Sequence, residues 1–157
     1  MTPDQPPRLH PGVNPLELEL QFCFALYSAS HAMTKRYKPM LDKLGLTYPQ
    51  YLVMLVLWEQ DGILVKDIGA RLFLDSGTLT PLLKRLEGNG LVSRKRDAHD
   101  ERQVRIYLTQ AGRSLRNQAA TVPEQVLCAS GEGLDTLCHM RDDLARIRNR
   151  LTRDEGQ

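Results

Sequence analysis

Two groups of residues in this 157-residue chain could do chemistry. One is Cys23, set in the run Gln21-Phe22-Cys23-Phe24-Ala25-Leu26-Tyr27-Ser28. An ionised thiol is a nucleophile and can be oxidised, whereas a thiol kept neutral in apolar company is only a small hydrophobe. No Lys, Arg or His falls at helical spacing from Cys23 except His31, two turns on. A thiolate there would need hydroxyl donors rather than a cation. On the residues alone both uses of Cys23 stay open, and its apolar neighbours suit a core cysteine as well. Cys128 and Cys138 complete the set of thiols. No pair has metal-ligand spacing, and His10, His31, His99 and His139 are scattered. No metal, cofactor or catalytic group is expected.

The second group is the stretch Asp75-Ser76-Gly77-Thr78-Leu79-Thr80-Pro81-Leu82-Leu83-Lys84-Arg85-Leu86-Glu87, followed by Gly90-Leu91-Val92-Ser93-Arg94-Lys95-Arg96-Asp97 and Asp100-Glu101-Arg102. A helix that reads base edges needs short polar side chains at its N-terminal end, and Ser76, Thr78 and Thr80 supply them. Gly77 lets backbone approach closely. Lys84 and Arg85, farther along, suit phosphates, which position a protein without carrying sequence information. Arg94 and Arg96 add cations on the following hairpin. Arg102 near its tip suits a narrow minor groove, with Asp100 placed to hold its guanidinium. From Lys84 to Arg105 seven basic residues face four acids, although the whole chain carries only +2. Such a local basic stripe fits DNA, while a solvated hairpin after a helix capped by Ser76 would look the same by charge alone.

The elements that must position these groups follow from caps and periodicity. The hydrophobic share of 41% is enough for a core. Asn14, Pro15 and Glu17 signal a helix start. Apolar residues from Leu16 to Tyr37 fall on two adjacent faces, so this helix is expected to pack against two things. A short helix is expected near Pro39–Leu44, ended by Gly45. Another is expected over Tyr48–Gln60, with Leu52, Leu55, Val56 and Trp58 as core candidates. Val65–Leu72, a turn at Phe73-Leu74-Asp75 and a helix to Gly88 capped by Asp75 or Ser76 read as a helix-turn-helix. After Gly90 the period switches to two, giving strands around Val92–Arg96 and Val104–Leu108. Thr109 caps a further helix, interrupted near Pro123, and Leu134–Leu151 is the last. The fold class is mainly α with a small two-stranded β-wing: a winged helix-turn-helix, dimeric through its N- and C-terminal helices. The divisions expected are a flexible arm at 1–13, a dimerisation helix carrying Cys23 at 14–38, a winged helix-turn-helix at 39–112 and C-terminal dimerisation helices at 113–157. Residues 1–12 hold no apolar run, and no stretch approaches the ~18 apolar residues that cross a bilayer. A cytoplasmic protein without membrane contact is expected, and its thiols are then kept reduced.

The motif Arg96-Asp97-x-x-Asp100-x-Arg102, followed by Leu108-Thr109-x-x-Gly112, resembles the wing signature of the MarR family of winged-helix repressors. Within it, the Gln21–Ser28 run, Leu44-Gly45-Leu46-Thr47-Tyr48-Pro49-Gln50-Tyr51 and the Ser76–Leu83 stretch are most similar to the organic hydroperoxide resistance regulators. The resemblance implies a homodimer bound to a pseudo-palindromic double-stranded operator, with an organic hydroperoxide as inducer. It implies that Cys23 is the redox sensor, hydrogen-bonded as a thiolate by Tyr37 and by Tyr48 of the partner subunit, and that Cys128 is the resolving cysteine of an intersubunit disulfide. Phe22, Phe24 and Tyr27 would then form the peroxide pocket. Cys138, ten residues beyond Cys128 on an apolar helical stripe, and a small cellular thiol are alternative resolving partners. Other functions remain open: a repressor answering a small aromatic ligand with incidental cysteines, a thiol peroxidase built on Cys23, and a structural DNA-bending protein. The basic hairpin gives the enzyme no use, so no enzyme is expected.

Overall fold

The structure, a computed structural model, describes residues 14–152. The arm expected over residues 1–13 lies outside them. Two compact units divide the chain after Lys35.

The first unit contains a 3-10 turn, Leu18–Leu20, and most of helix α1, Phe22–Lys43. Helix α1 therefore starts later than expected. Asn14 does cap, but it caps a turn: its side-chain oxygen accepts the Leu16 N–H at 3.1 Å. Gln21 is extended and breaks the helical path, while its side-chain amide donates to the carbonyls of Pro15 and Glu17. No separate helix begins at Pro39 either. Helix α1 runs through it to Lys43, with proline removing one helical N–H donor. The end expected at Gly45 is observed. Leu46 N–H bonds the Leu41 carbonyl and Gly45 N–H the Asp42 carbonyl, with Gly45 at φ 67°. This is the Schellman pattern that glycine admits without strain.

The second unit holds the core. Thr47 and Gln50 form a reciprocal capping box at the start of α2, Tyr48–Glu59. This helix is apolar nearly all round and lies at the centre. Tyr51, Val53, Met54, Val56 and Leu57 are buried. Of the core candidates only Val56 is fully buried; Leu52, Leu55 and Trp58 are half-buried. An all-apolar helix gives periodicity nothing to choose a face by. Helix α3 (Val65–Leu72) and helix α4 (Ser76–Gly88) form the helix-turn-helix. The turn needs a glycine at 69, because a Cβ there would lie 2.8 Å from the Leu74 carbonyl oxygen. Strands β2 (Val92–Arg96) and β3 (Val104–Leu108) form the wing. The sheet has a third strand that periodicity does not show: β1, Ile63–Leu64, pairs antiparallel with Ile106 and Arg105. The order is β1-β3-β2, with Val92 opposite Leu108 and Arg96 opposite Val104.

Thr109 caps α5, Gln110–Ala119, and α6 (Val122–Ser130) and α7 (Leu134–Leu151) follow. Helix α7 buries none of its residues in the single chain. Leu79, Leu83 and Leu86 of α4 join Ile68, Val92 and Ile106 in the same buried cluster as α2. The reading helix and the wing thus share one core.

Candidate nucleic-acid interface

The N-terminus of α4 is set by Asp75. Its carboxylate accepts the Thr78 N–H at 2.7 Å and the Thr78 hydroxyl at 3.1 Å. These bonds, the Thr78 N–H foremost, hold the Asp75 carboxyl below its ordinary range. Ser76, Gly77 and Thr78 are exposed there, and Thr80 is half-buried. The hydroxyls are not equivalent. Thr80 donates to the Ser76 carbonyl at 2.7 Å, and Thr78 donates to Asp75. Both keep lone pairs to accept with, whereas the Ser76 hydroxyl has no partner among the described residues. Gly77 sits close under the cap, where a Cβ would lie 3.1 Å from an Asp75 oxygen. Lys84 and Arg85 are exposed farther along the helix.

The wing is built by two carboxylates. Asp97 is only 5% exposed. It accepts the N–H groups of His99 (2.8 Å) and Asp100 (3.1 Å) and pairs with the Arg105 guanidinium. Arg105 also donates to the Gly62 carbonyl at 2.8 Å, which anchors the wing to the start of β1. Asp100 corrects an expectation. Its oxygens take the Arg102 backbone N–H at 3.0 Å and the Gln103 side-chain amide at 2.9 Å, not the Arg102 guanidinium. It shapes the loop and leaves the Arg102 side chain exposed. Both carboxyls lie below their ordinary range: Asp97 chiefly through the His99 N–H and Arg105, Asp100 chiefly through the Gln103 amide and the Arg102 N–H. Arg96 and Lys95 are exposed on β2, and Lys95 lies 5.4 Å over the Tyr107 ring.

Between α3, α4 and the wing runs a cleft of about 530 Å³. Arg94, Arg102, Ser76 and Thr80 line it beside Lys66 and Gln103. The cleft brings two of the three expected α4 hydroxyls, Ser76 and Thr80, and two wing cations to one face; Thr78 is not among its lining residues. Lys66 and Gln103 were not legible as site residues, because only the packing of β1 against β3 brings α3 beside the wing. In the sequence Glu87 reads only as a charge. Its carboxylate binds Arg94.

The thiols stand as follows. Cys23 and Cys128 are exposed in the single chain, Cys138 is half-buried, and none is in a disulfide. Phe22 and Tyr27 are 55% and 60% exposed, and Phe24 is half-buried. Tyr27 lies against His31, with ring centroids 4.3 Å apart. In the second unit Tyr37 and Tyr48 pack at 4.9 Å, beside Tyr51. Burial pushes the Tyr37 and Tyr48 phenols up, and for Tyr37 the neighbouring Tyr48 adds to it. Tyr51 is pushed up to about 12 by burial and then by both neighbours. Among the described residues no group of three or more side chains could hold a metal ion, and no helix is long and apolar enough to cross a membrane.

A reading helix and basic wing on one core define a winged-helix DNA-binding protein. The transcriptional regulator SarA/Rot family profile matches residues 35–119. The chain is 53% identical over 138 residues to the HTH-type transcriptional regulator TtmR of Methylorubrum extorquens, covering 88% of this chain and 71% of that one. It is 50% identical over 129 residues to the organic hydroperoxide resistance transcriptional regulator of Bacillus subtilis, covering 82% and 88%. Among solved structures, reduced AbfR bound to DNA superposes with a TM-score of 0.70 at 38% identity, covering 85% and 93%. A MarR family regulator from Rhodococcus gives 0.74 at 27% identity, covering 84% and 95%. The chain belongs to the MarR family of winged-helix transcription regulators and is similar, within it, to the organic hydroperoxide resistance regulators. It is a DNA-binding regulator, not an enzyme.

Proposed function

We propose that this protein is a homodimeric cytoplasmic repressor that senses organic hydroperoxides through Cys23 and resolves the oxidised state with Cys128. The observation that carries the proposal is 50% identity, across 82% of this chain and 88% of that one, to the organic hydroperoxide resistance regulator of Bacillus subtilis. That likeness falls on a chain whose first helix presents an exposed thiol at Cys23.

The Cys23 thiolate attacks the distal peroxide oxygen. The O–O bond breaks, an alcohol leaves with a proton, and the sulfur becomes a sulfenic acid. The thiolate of Cys128 of the partner subunit then attacks that sulfur. The S–S bond forms and the hydroxyl departs as water, so two thiols supply the two electrons that reduce one peroxide. Tyr37, with Tyr48 of the partner subunit, serves as hydrogen-bond donor to the Cys23 thiolate. Both phenols, pushed up by burial, are protonated at neutral pH and can donate. Phe22, Phe24 and Tyr27 give the peroxide's organic part an apolar surface. Leu16 and Leu18 near the N-terminus and Leu134, Met140 and Leu151 on α7 are exposed in the single chain, as a dimerisation layer requires. A disulfide needs Cα atoms within roughly 7 Å. If the two cysteines start farther apart, closing the bond moves a helix and tilts two wings that must fit half-sites about one DNA turn apart.

The test is Cys23→Ser. The variant is expected to bind operator DNA as the wild type does and to stay bound when an organic hydroperoxide is added. Peroxide-driven release by the variant contradicts the proposal.

A further inference from the structure

Glu87 stands in the last turn of α4, and its carboxylate spends both oxygens on one residue seven positions on. Oε1 accepts the Arg94 backbone N–H at 3.1 Å, and Oε2 accepts Arg94 Nε at 2.7 Å. The first contact follows from topology. β2 is an edge strand, so the Arg94 N–H has no strand on its outer side to bond. The second decides which edge of the guanidinium is free. With Nε held, the two terminal nitrogens remain, and neither has a hydrogen-bond partner among the described residues. Arg94 lines the cleft with Arg102, Ser76 and Thr80. Planar guanidinium groups bind phosphate oxygens in pairs, and what they lose on binding is rotamer freedom.

We infer that Glu87 is the positioning residue for Arg94: it orders the guanidinium in the DNA-free protein with its terminal nitrogens offered to a backbone phosphate. The inference rests on the DNA-binding reading of this face. Side-chain ordering at an interface is costly, and Glu87 removes most of that cost for Arg94 before DNA arrives. The Glu87 carboxyl is held below its ordinary range, first by the Arg94 side-chain bond, so the clamp stays ionised at neutral pH.

The experiment is a double-mutant cycle. The wild-type protein selects a duplex from a randomised double-stranded library, and affinities for it are measured by fluorescence anisotropy over a range of salt. Glu87→Ala is expected to weaken binding about three- to tenfold. Arg94→Ala weakens it at least as much and flattens the slope of log affinity against log salt by about 0.9 per subunit, about 1.8 for a dimer. In the Arg94→Ala background, Glu87→Ala changes nothing further. Glu87→Gln, whose single oxygen can serve only one of the two Arg94 donors, recovers only part of the loss; if the alanine variant does not fold, Glu87→Gln carries the cycle, with weakening expected in the wild-type background and none in the Arg94→Ala background. Equal weakening by Glu87→Ala in both backgrounds overturns the inference, because Glu87 then acts only through the Arg94 backbone N–H. Tighter binding by Glu87→Ala also overturns it, since the carboxylate then holds Arg94 back from DNA. A wild-type protein that selects no sequence defeats the DNA reading and the inference together, a result distinct from a failed cycle on a bound duplex.

Discussion

Gly112→Ala tests the joint between the wing and α5. Gly112 is buried, and a Cβ there would lie 2.1 Å from the Leu91 carbonyl oxygen and 3.2 Å from Leu108 Cδ2. Ordinary contact begins near 3.4 Å, so α5 and the start of β2 must separate by about 1.3 Å. The obstacle is backbone and cannot rotate away. The same junction holds Thr109 N–H to the Leu91 carbonyl at 3.0 Å, and Trp58 Nε1 donates to the Gly112 carbonyl at 2.9 Å. Overpacking costs about 1–3 kcal/mol, and a stretched hydrogen bond adds about 1 kcal/mol, giving about 3 kcal/mol in total. Urea unfolding at matched protein concentration reads this out. With a slope of about 2 kcal/mol/M, the midpoint falls by about 1.5 M. Gly88→Ala is the control. Nothing lies within 4 Å of a Cβ there, so it is expected to be neutral or stabilising by up to about 1 kcal/mol. A Gly112→Ala protein within about 0.5 kcal/mol of wild type refutes the reasoning.

Other outcomes follow from the charged and phenolic groups. Asp61 is partly desolvated, which raises its pKa, but the Leu108 N–H, the Arg113 guanidinium and the Gly62 N–H together bring it below 3.8. A depressed carboxyl contributes stability that is present above 3.8 and lost as pH falls through the folded value. Asp61→Asn should therefore unfold more easily at neutral pH, with the gap to wild type closing in acid below that range; a gap independent of pH counts against this. Tyr51, pushed up to about 12, contributes stability that is complete below 10 and lost as pH rises toward 12. Tyr51→Phe should remove the most alkaline step in an ultraviolet phenol titration, and an unchanged titration contradicts the burial argument. Arg102→Ala should weaken operator binding and flatten its salt dependence, because the wing loop leaves that side chain free of Asp100; unchanged affinity and slope would place Arg102 outside the interface.

What the sequence shows best is what short-range chemistry decides. The Gly45 stop, the Asp75 and Thr109 caps and the bounds of α3, α4 and α7 stand in the structure where caps and periodicity place them. Elements that depend on partners were harder to read. β1 is two residues long and is a strand only because β3 lies beside it. Pro39 looked like a boundary, yet one missing N–H does not stop a helix whose next turn is held by Leu41 in the core. At the site, residue types on α4 were legible from helix phase. The bonds that commit the Thr78 and Thr80 hydroxyls, the use of Asp100 on backbone N–H groups and the Glu87–Arg94 pair were not. Each depends on distances between elements that spacing along the chain does not encode.

The central claim is that peroxide is read by Cys23 and resolved by Cys128. Reduced protein treated with one equivalent of cumene hydroperoxide, run without reductant and mapped by peptide mass, tests it most directly. The account predicts a covalent dimer whose linked peptides contain Cys23 and Cys128. A monomer with Cys23 unmodified, or a dimer linked through Cys138 instead, contradicts it.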